Sequence, residues 1–369
     1  MKIKLLTLIT ILILISGCNR GQQIPDYSLM PKEFKYVINK NTFVCIQEKG
    51  VKADEARMIR NIANEIVQYL KHQDYSRIKQ YLSPELQTTL ESKGIKENKL
   101  DTFLPGASQI MSAIPGFQLQ SLYLIKTNPE STKISGVCTT PKESNENSLY
   151  FNINNPKEDQ AGAIFIGRRG QTAAQMSLLL SKINNEWKVT HFSIYPSGAI
   201  GNTSFNLYQI ASQYKTQGKK NLAYVYYKLL TDISPVETVM PGYIFDSYNA
   251  LKELNVTLPS KKDPEPTEWE VDTDYVIPVY DLKIMPVNDK IVLHVAYLTE
   301  TDDVEVNTEE SELIKEYIIK NYPDLSTYFN ILITEATFEI PVEPDYEKFM
   351  KLYDLKQTTR QNVDDNAPE

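Results

Sequence analysis

The sequence predicts an α+β protein, with helices gathered on one face of a curved antiparallel sheet. Two observations predict it. Between Ile59 and Leu90 apolar residues recur at intervals of three and four, and over residues 117–195 short apolar runs alternate with turn-forming clusters. Helices first and strands after is the order of an α+β layout, not of an alternating parallel sheet. A chain of 369 residues has room for roughly two or three domains, and the pattern changes twice more before the end.

The N-terminus reads as an export signal. Lys2 and Lys4 are followed by a run at residues 5–15 that is apolar apart from Thr7 and Thr10, then by the small residues Ser16 and Gly17. A membrane-spanning helix needs roughly 20 apolar residues, which this run does not reach. Ile15-Ser16-Gly17-Cys18 resembles the lipobox of bacterial lipoproteins. The resemblance implies cleavage after Gly17, diacylglycerol on the Cys18 sulfur and a further acyl chain, commonly palmitate, on the new amino group. One chain binds a bilayer marginally, and two or three hold durably. A plain signal peptide with a chance cysteine is the alternative. Residues 1–17 are thus expected to be removed, and 18–33 to form a lipidated flexible linker. The body would sit in the cell envelope: on the outer membrane facing the periplasm in a diderm, toward which Asn19 leans, or on the outer face of the plasma membrane in a monoderm.

Residues 34–200 form the first expected domain. Two short apolar runs around Asn39-Lys40-Asn41 make a hairpin. Ile59, Ile62, Ile66, Tyr69 and Leu70 then mark one helix face, with Arg57, Asn61, Glu65 and Lys71 opposite. A second short helix after Asp74 uses Ile78, Tyr81 and Leu82. Ser83-Pro84-Glu85 starts a third, with a hydroxyl cap, Pro in the first turn and a carboxylate at the positive end of the dipole; Gly94 ends it. Strands are expected at 117–126, 133–139, 148–153, 162–166, 175–183 and 186–195. Asn184-Asn185 is a two-residue hairpin turn.

"YLKHQDYSRIKQYLSPELQTTL" (residues 69–90) and "MSLLLSKINNEWKVTHFSIYP" (residues 176–196) resemble the NTF2-like superfamily. The resemblance implies a cone, with a helical lid over a bent sheet and an apolar pocket inside. Enzymes of that family rely on an Asp or His within the cone. Strand alternation puts His191 on the face of Trp187 and Val189, so His191, Trp187 and Tyr69 are the candidate pocket residues. A core or surface histidine is the plainer alternative.

Residues 201–255 read as a helical hairpin. Leu207, Ile210, Ala211 and Tyr214, then Gly218, then Ala223, Tyr227, Leu230 and Pro235 stand at the offsets of a tetratricopeptide repeat, which they resemble. Leu207, Ala211 and Leu230 depart from its residue types, and Leu230 is large enough to push two helices apart. A solenoid needs about three units, and one is evident. Residues 256–274, rich in Pro and charge, read as a linker. Residues 275–356 read as a small β-β-α-β domain: strands at 275–285 and 290–298, an acidic loop at 299–307, a helix at 308–322, a strand at 328–340 and a short helix at 345–355. Residues 357–369 read as a disordered tail.

Composition excludes some partners. The formal net charge is −8, more negative once Lys2 and Lys4 are removed, and no block of Lys or Arg stands out, so nucleic acid is disfavoured. The 23 tyrosines suit ring packing with bonded hydroxyls, or a sugar- or peptide-binding surface. Cys45 and Cys138 permit a disulfide in an oxidising compartment, and two buried free thiols are the alternative.

The chemistry-bearing motifs are sparse. His72, His191 and His294 lie in separate segments without metal-ligand spacing, so neither a metal nor a cofactor is predicted. Ser76/Lys79 and Ser212/Lys215 match a nucleophile spacing without its companion motifs. Arg168 and Arg169 between Gly167 and Gly170 could hold an anion or form a solvated hairpin tip. Glu300, Asp302, Asp303 and Glu305 lack the pattern of an EF-hand. The expected function is that of a non-enzymatic envelope lipoprotein, anchored in the bilayer through Cys18, that binds or scaffolds an envelope protein partner. The alternative is a small-ligand binder or a hydrolase- or isomerase-type enzyme using the NTF2-like pocket. An open pocket containing His191 and a carboxylate favours the alternative; a cone filled by side chains removes it.

Overall fold

The computed structural model describes residues 37–38, 41–47, 52–92, 99–114, 116–127, 130–139, 145–342 and 346–356. The signal peptide, Cys18, the linker after it, Asn39-Lys40, Gly94 and the tail from 357 lie outside them. The described chain is mixed α+β and divides into two compact units. The first takes residues 1–209 and 230–253, the second 210–229 and 254–369. The boundary falls inside three helices, so residues 201–255 are shared between the two units.

The first unit opens with β1 (Val37–Ile38) and β2 (Asn41–Gln47), then α1 (Ala53–Lys71), α2 (Tyr75–Tyr81), α3 (Pro84–Ser92) and α4 (Lys99–Ala113). Ser83 caps α3 as its sequence implies, its Oγ accepting from Leu86 N at 3.1 Å. The sequence did not announce α4: Pro105 lies inside it, where proline normally breaks a helix, yet Leu104, Ala107, Ile110 and Met111 are buried. Strands β3 (Gln118–Thr127), β4 (Lys133–Cys138), β5 (Leu149–Asn154), β6 (Asp159–Arg169), β7 (Thr172–Ile183) and β8 (Glu186–Pro196) follow, then the short β9 (Gly198–Ala199), β10 (Asn202–Thr203) and β11 (Val239–Pro241). Asn184 and Asn185 both have positive φ, 51° and 67°, the geometry of a tight two-residue hairpin turn.

The expected single meander splits. A six-stranded sheet runs β1-β2-β3-β6-β7-β8, while β4 and β5 leave it and join β11 in a three-stranded sheet. Both faces of the larger sheet are therefore covered. On one, α1 to α4 bury Ile59, Ile66, Leu70, Ile78 and Leu104 against Leu178, Leu180, Trp187 and Val189. On the other, Phe43, Ile125, Ile164 and Leu179 pack with Leu149, Phe151 and Val239 of the smaller sheet. Gly162 lets the sheets approach: a Cβ there would lie 2.8 Å from a Leu149 methyl. Burying both faces explains why β6 and β7 read as continuous apolar runs rather than alternating ones.

Helices α5 (Ser204–Thr216), α6 (Lys220–Ile233) and α7 (Gly242–Leu254) follow the strand pair β9-β10. Gly218, at φ 74°, ends α5, with its N–H on the Lys215 carbonyl at 3.1 Å. Leu230 is fully buried, and its neighbours are Tyr150, Met240, Tyr243, Ile244 and Phe245. Its size serves the first unit's core.

The second unit is built on the sheet β12-β13-β14-β15-β16. Its strands are β12 (Thr267–Asp272), β13 (Tyr275–Val287), β14 (Lys290–Leu298), β15 (Ile331–Thr337) and β16 (Phe349–Asp354), with α8 (Val304–Asn321) and α9 (Pro323–Tyr328) between β14 and β15. The β14-β15 pair is parallel and the others antiparallel. Two expectations are corrected. The segment read as a linker contains β12, held by Trp269, which is buried and stacks on Tyr317 at 4.5 Å. The helix expected at 345–355 is instead β16, because pairing with β15 outweighs local propensity.

Candidate functional site

The site begins with one extra residue. Between β7 and β8 the register shifts, so that Leu179 faces His191 and Leu180 faces Val189. Thr190 is the bulge. Trp187 and Val189 before it, and Phe192 and Ile194 after it, all join the helix-side cluster. His191 therefore lies on the opposite face from Trp187 and Val189, and simple alternation misplaces it. Tyr69, also on the helix side, stacks on Tyr81 at 6.2 Å, and the Tyr81 hydroxyl donates to Glu65. The three candidate pocket residues are thus not brought together.

On its own face His191 lines a cleft of about 230 Å³ with Asn152, Asn154, Asn155, Lys157, Gln160, Ser181, Thr190 and Thr238, over Ile153 and Leu179. Its Nε2 lies 3.0 Å from Glu237 Oε2, with both side chains about one-quarter exposed. Strands β5 to β8 supply most of the wall. The segment before β11 supplies Thr238 to the wall, tied down by the bond from Asn152 N to Thr238 O at 2.8 Å, and brings Glu237 against His191. A hydrogen-bond chain runs along the floor: Gln160 Nε2 donates to Ser181 Oγ at 3.3 Å, Ser181 meets Thr190 at 3.0 Å, and Thr190 donates to Leu179 O at 3.3 Å. Gln160 Oε1 and Asn152 Oδ1 are buried without a hydrogen-bond partner. Beyond the cleft, Tyr195 is held protonated well above its ordinary range, by burial first and then by Glu237.

The other candidates have local roles. Arg169 donates to Ala113 O at 3.0 Å, satisfying the C-terminal end of α4; Arg168 is exposed. Cys45 and Cys138 form a disulfide joining β2 to β4. Asp303 of the acidic loop accepts from Glu305 N and Val306 N at 2.8 and 3.4 Å, so α8 starts four residues earlier than its apolar face suggests. Ser212 Oγ meets Tyr227 Oη at 2.9 Å. Among the described residues, no group of three or more His, Cys, Asp or Glu is gathered for a metal ion, and no helix is long and apolar enough to cross a membrane.

In the second unit, His294 lies 3.4 Å from Glu335, and both are buried. Burial opposes ionisation of Glu335, but hydrogen bonds from His294 and Tyr346, with Lys348 nearby, outweigh it and hold the carboxyl at about 2. Asp281 behaves alike: burial is outweighed by Lys228 and Lys283, each at 2.7 Å, so its pKa is lowered. An open cleft of about 580 Å³ is lined by Lys219, Lys220, Asn221, Thr257 and Asp324. Asn221 donates to Asp324 at 3.1 Å.

Glu237 is the partner that sequence reasoning missed. It stands 46 residues from His191 in a segment without motif, and no local signal joins them. Compared with known proteins, the chain matches no family model, no curated protein and no solved structure.

Proposed function

We propose that the chain is an envelope lipoprotein, held to a membrane by acyl chains on Cys18, that binds a small polar ligand or a polar feature of an envelope partner at the His191 cleft. The observation that carries the reading is the cleft itself, where amide, hydroxyl, imidazole and ammonium-bearing side chains are gathered around one concavity beside Ile153 and Leu179. The four helices on one face of a six-stranded sheet support an NTF2-like first unit. The residues that would line its cone are packed against one another in an apolar cluster, which argues for the opposite face as the working one. The ligand binding foreseen inside the cone is thus relocated.

A second reading takes His191 as a general base oriented by Glu237, motivated by their 3.0 Å contact. The two differ in what they require of a ligand: binding leaves it unchanged, catalysis does not. Cross-linking of the full lipidated chain in cell envelopes tests the main reading, with wild type beside His191→Ala. Capture that depends on His191, and mass spectra showing acylated Cys18 at the mature N-terminus, are expected. A protein retaining residues 1–17, or capture indifferent to every cleft substitution, overturns it.

A further inference from the structure

We propose that the outer edge of β16 is a self-association surface, where a second copy of this chain adds its own β16 antiparallel and joins the two sheets into one. The sheet runs β12-β13-β14-β15-β16, so β12 and β16 are its edges. Leu355 N–H donates to Asn330 O at 2.8 Å, one position beyond the Ile331–Asp354 pair of the register. Hydrogen-bonded pairs alternate along an antiparallel ladder. Tyr353, Lys351 and Phe349 therefore turn their peptide groups toward β15. Met350, Leu352 and Asp354 turn theirs outward, where no further strand pairs with β16 among the described residues. The two edges are guarded differently. β12 exposes Glu268, Glu270 and Asp272 and its register breaks between the last two; charge and bulges are the usual defences of an edge. β16 instead exposes Met350 at 46% and Leu352 at 62%, large apolar side chains beside unpaired peptide groups.

What selects a second copy is that the edge is complementary to itself. A two-fold axis at Lys351 sets Met350 opposite Leu352 of the second copy, Phe349 opposite its Tyr353, and Lys348 opposite its Asp354, each pair occurring twice. Apolar, aromatic and opposite-charge pairs across strands all stabilise a sheet. The residues that exchange hydrogen bonds in this register are the ones whose peptide groups face outward. Lys348 is exposed and lies 3.6 Å from Glu335; Asp354 is exposed as well. Only Lys351 meets its own like charge. Moving the axis to Leu352 would set Met350 against Asp354 and Lys348 against Lys356, which loses the charge match. Isologous pairing of β16 with β16 also closes as a dimer, whereas β16 on β12 would run on as a filament. A strand pair of this length is a small interface, so the dimer is reversible.

The test is disulfide trapping of the full chain in cell envelopes under a mild oxidant, with sedimentation equilibrium of the detergent-extracted protein beside it. At the axis, Lys351→Cys meets its own copy at a Cα separation of about 4.5 Å, within disulfide reach, and a covalent dimer is expected. Asp354→Cys lies about 20 Å from its copy in this register, and no dimer is expected. Adding Leu352→Lys to Lys351→Cys should weaken trapping severalfold while the unfolding midpoint holds, since Leu352 is exposed. Wild type should sediment as a concentration-dependent monomer and dimer, and Lys351→Thr should tighten that dimer about two- to fivefold by removing the like-charge pair. A wild type that is monomeric at every concentration overturns the proposal. So do equal trapping at both cysteine positions, trapping indifferent to Leu352→Lys, a ladder of higher oligomers, and a cross-link only to a protein of different mass.

Discussion

Val189 and His191, two residues apart on one strand, face opposite sides of their sheet, because Thr190 between them is left out of the β7–β8 register. One inserted residue thus separates the apolar helix side from the polar cleft. Deleting Thr190 is expected to close the bulge and keep the faces, because plain alternation across the gap still puts Val189, Phe192 and Ile194 on the helix side and His191 opposite. The loss is then confined to the Thr190 hydroxyl bonds with Ser181 and Leu179 O, roughly 1 to 3 kcal/mol in the urea midpoint. His191→Ala, with the bulge kept and a partly exposed contact to Glu237 lost, should cost less than about 1 kcal/mol. A deletion that unfolds the first unit would argue against the bulge.

Lys228 and Asp281 form a buried ion pair in the second unit, at 9% and 3% exposure. Asp281→Asn leaves the Lys228 and Lys283 charges without their shared carboxylate. The expected loss is about 3 to 5 kcal/mol, because removing one partner strands a desolvated charge. Lys228→Met combined with Asp281→Asn should recover part of it. A double-mutant cycle by chemical denaturation checks this, and simple additivity would show that the pair is not coupled.

Glu335 supplies a pH dependence of known sign. Its carboxyl sits at about 2 against an ordinary 4.5, so the unfolded chain takes up a proton first as the pH falls. The stabilisation is therefore complete above about pH 4.5 and is lost as the pH drops through about 2, with a total of roughly 3 kcal/mol. Glu335→Gln should lower stability at neutral pH and flatten the acid limb of a stability-against-pH curve. An unchanged acid limb in that variant would place the pH dependence elsewhere.

Local chemistry made much of the architecture legible. Ser83-Pro84-Glu85 starts a helix, Asn184-Asn185 makes a turn, and Gly218 ends α5, each because the backbone geometry needs that residue type within one or two positions. What lay beyond a local window was not legible. Apolar burial of Leu104 and Met111 overrides Pro105 in α4, pairing with β15 turns 349–354 from helix into strand, and Trp269 pins β12 inside a Pro-rich stretch. The same holds at the cleft. His191 could be singled out as a rare residue, but its side of the sheet depends on a bulge that polar Thr190 does not announce, and Glu237 reaches it only through the fold. The pairing of Cys45 with Cys138 was open for a like reason: an even count permits a bond but does not bring the two sulfurs together.

That bond ties β2 of the larger sheet to β4 of the smaller one across 93 residues. Chain entropy gives a loop of this length about 4 to 5 kcal/mol of stabilisation, less any native strain. Reduction should lower the urea midpoint of the first unit accordingly, and Cys45→Ala/Cys138→Ala should match the reduced protein. The bond also joins the two sheets on the face that bears the His191 cleft. In the reduced protein the cleft should loosen before the helix side does, seen as faster amide exchange at Asn152 and Ile153 of β5 than at Ile66 and Leu70 of α1. Alkylation with and without reductant fixes the oxidation state of the starting material. Uniform exchange along both elements would mean that the disulfide stabilises the whole unit rather than the seam between its sheets.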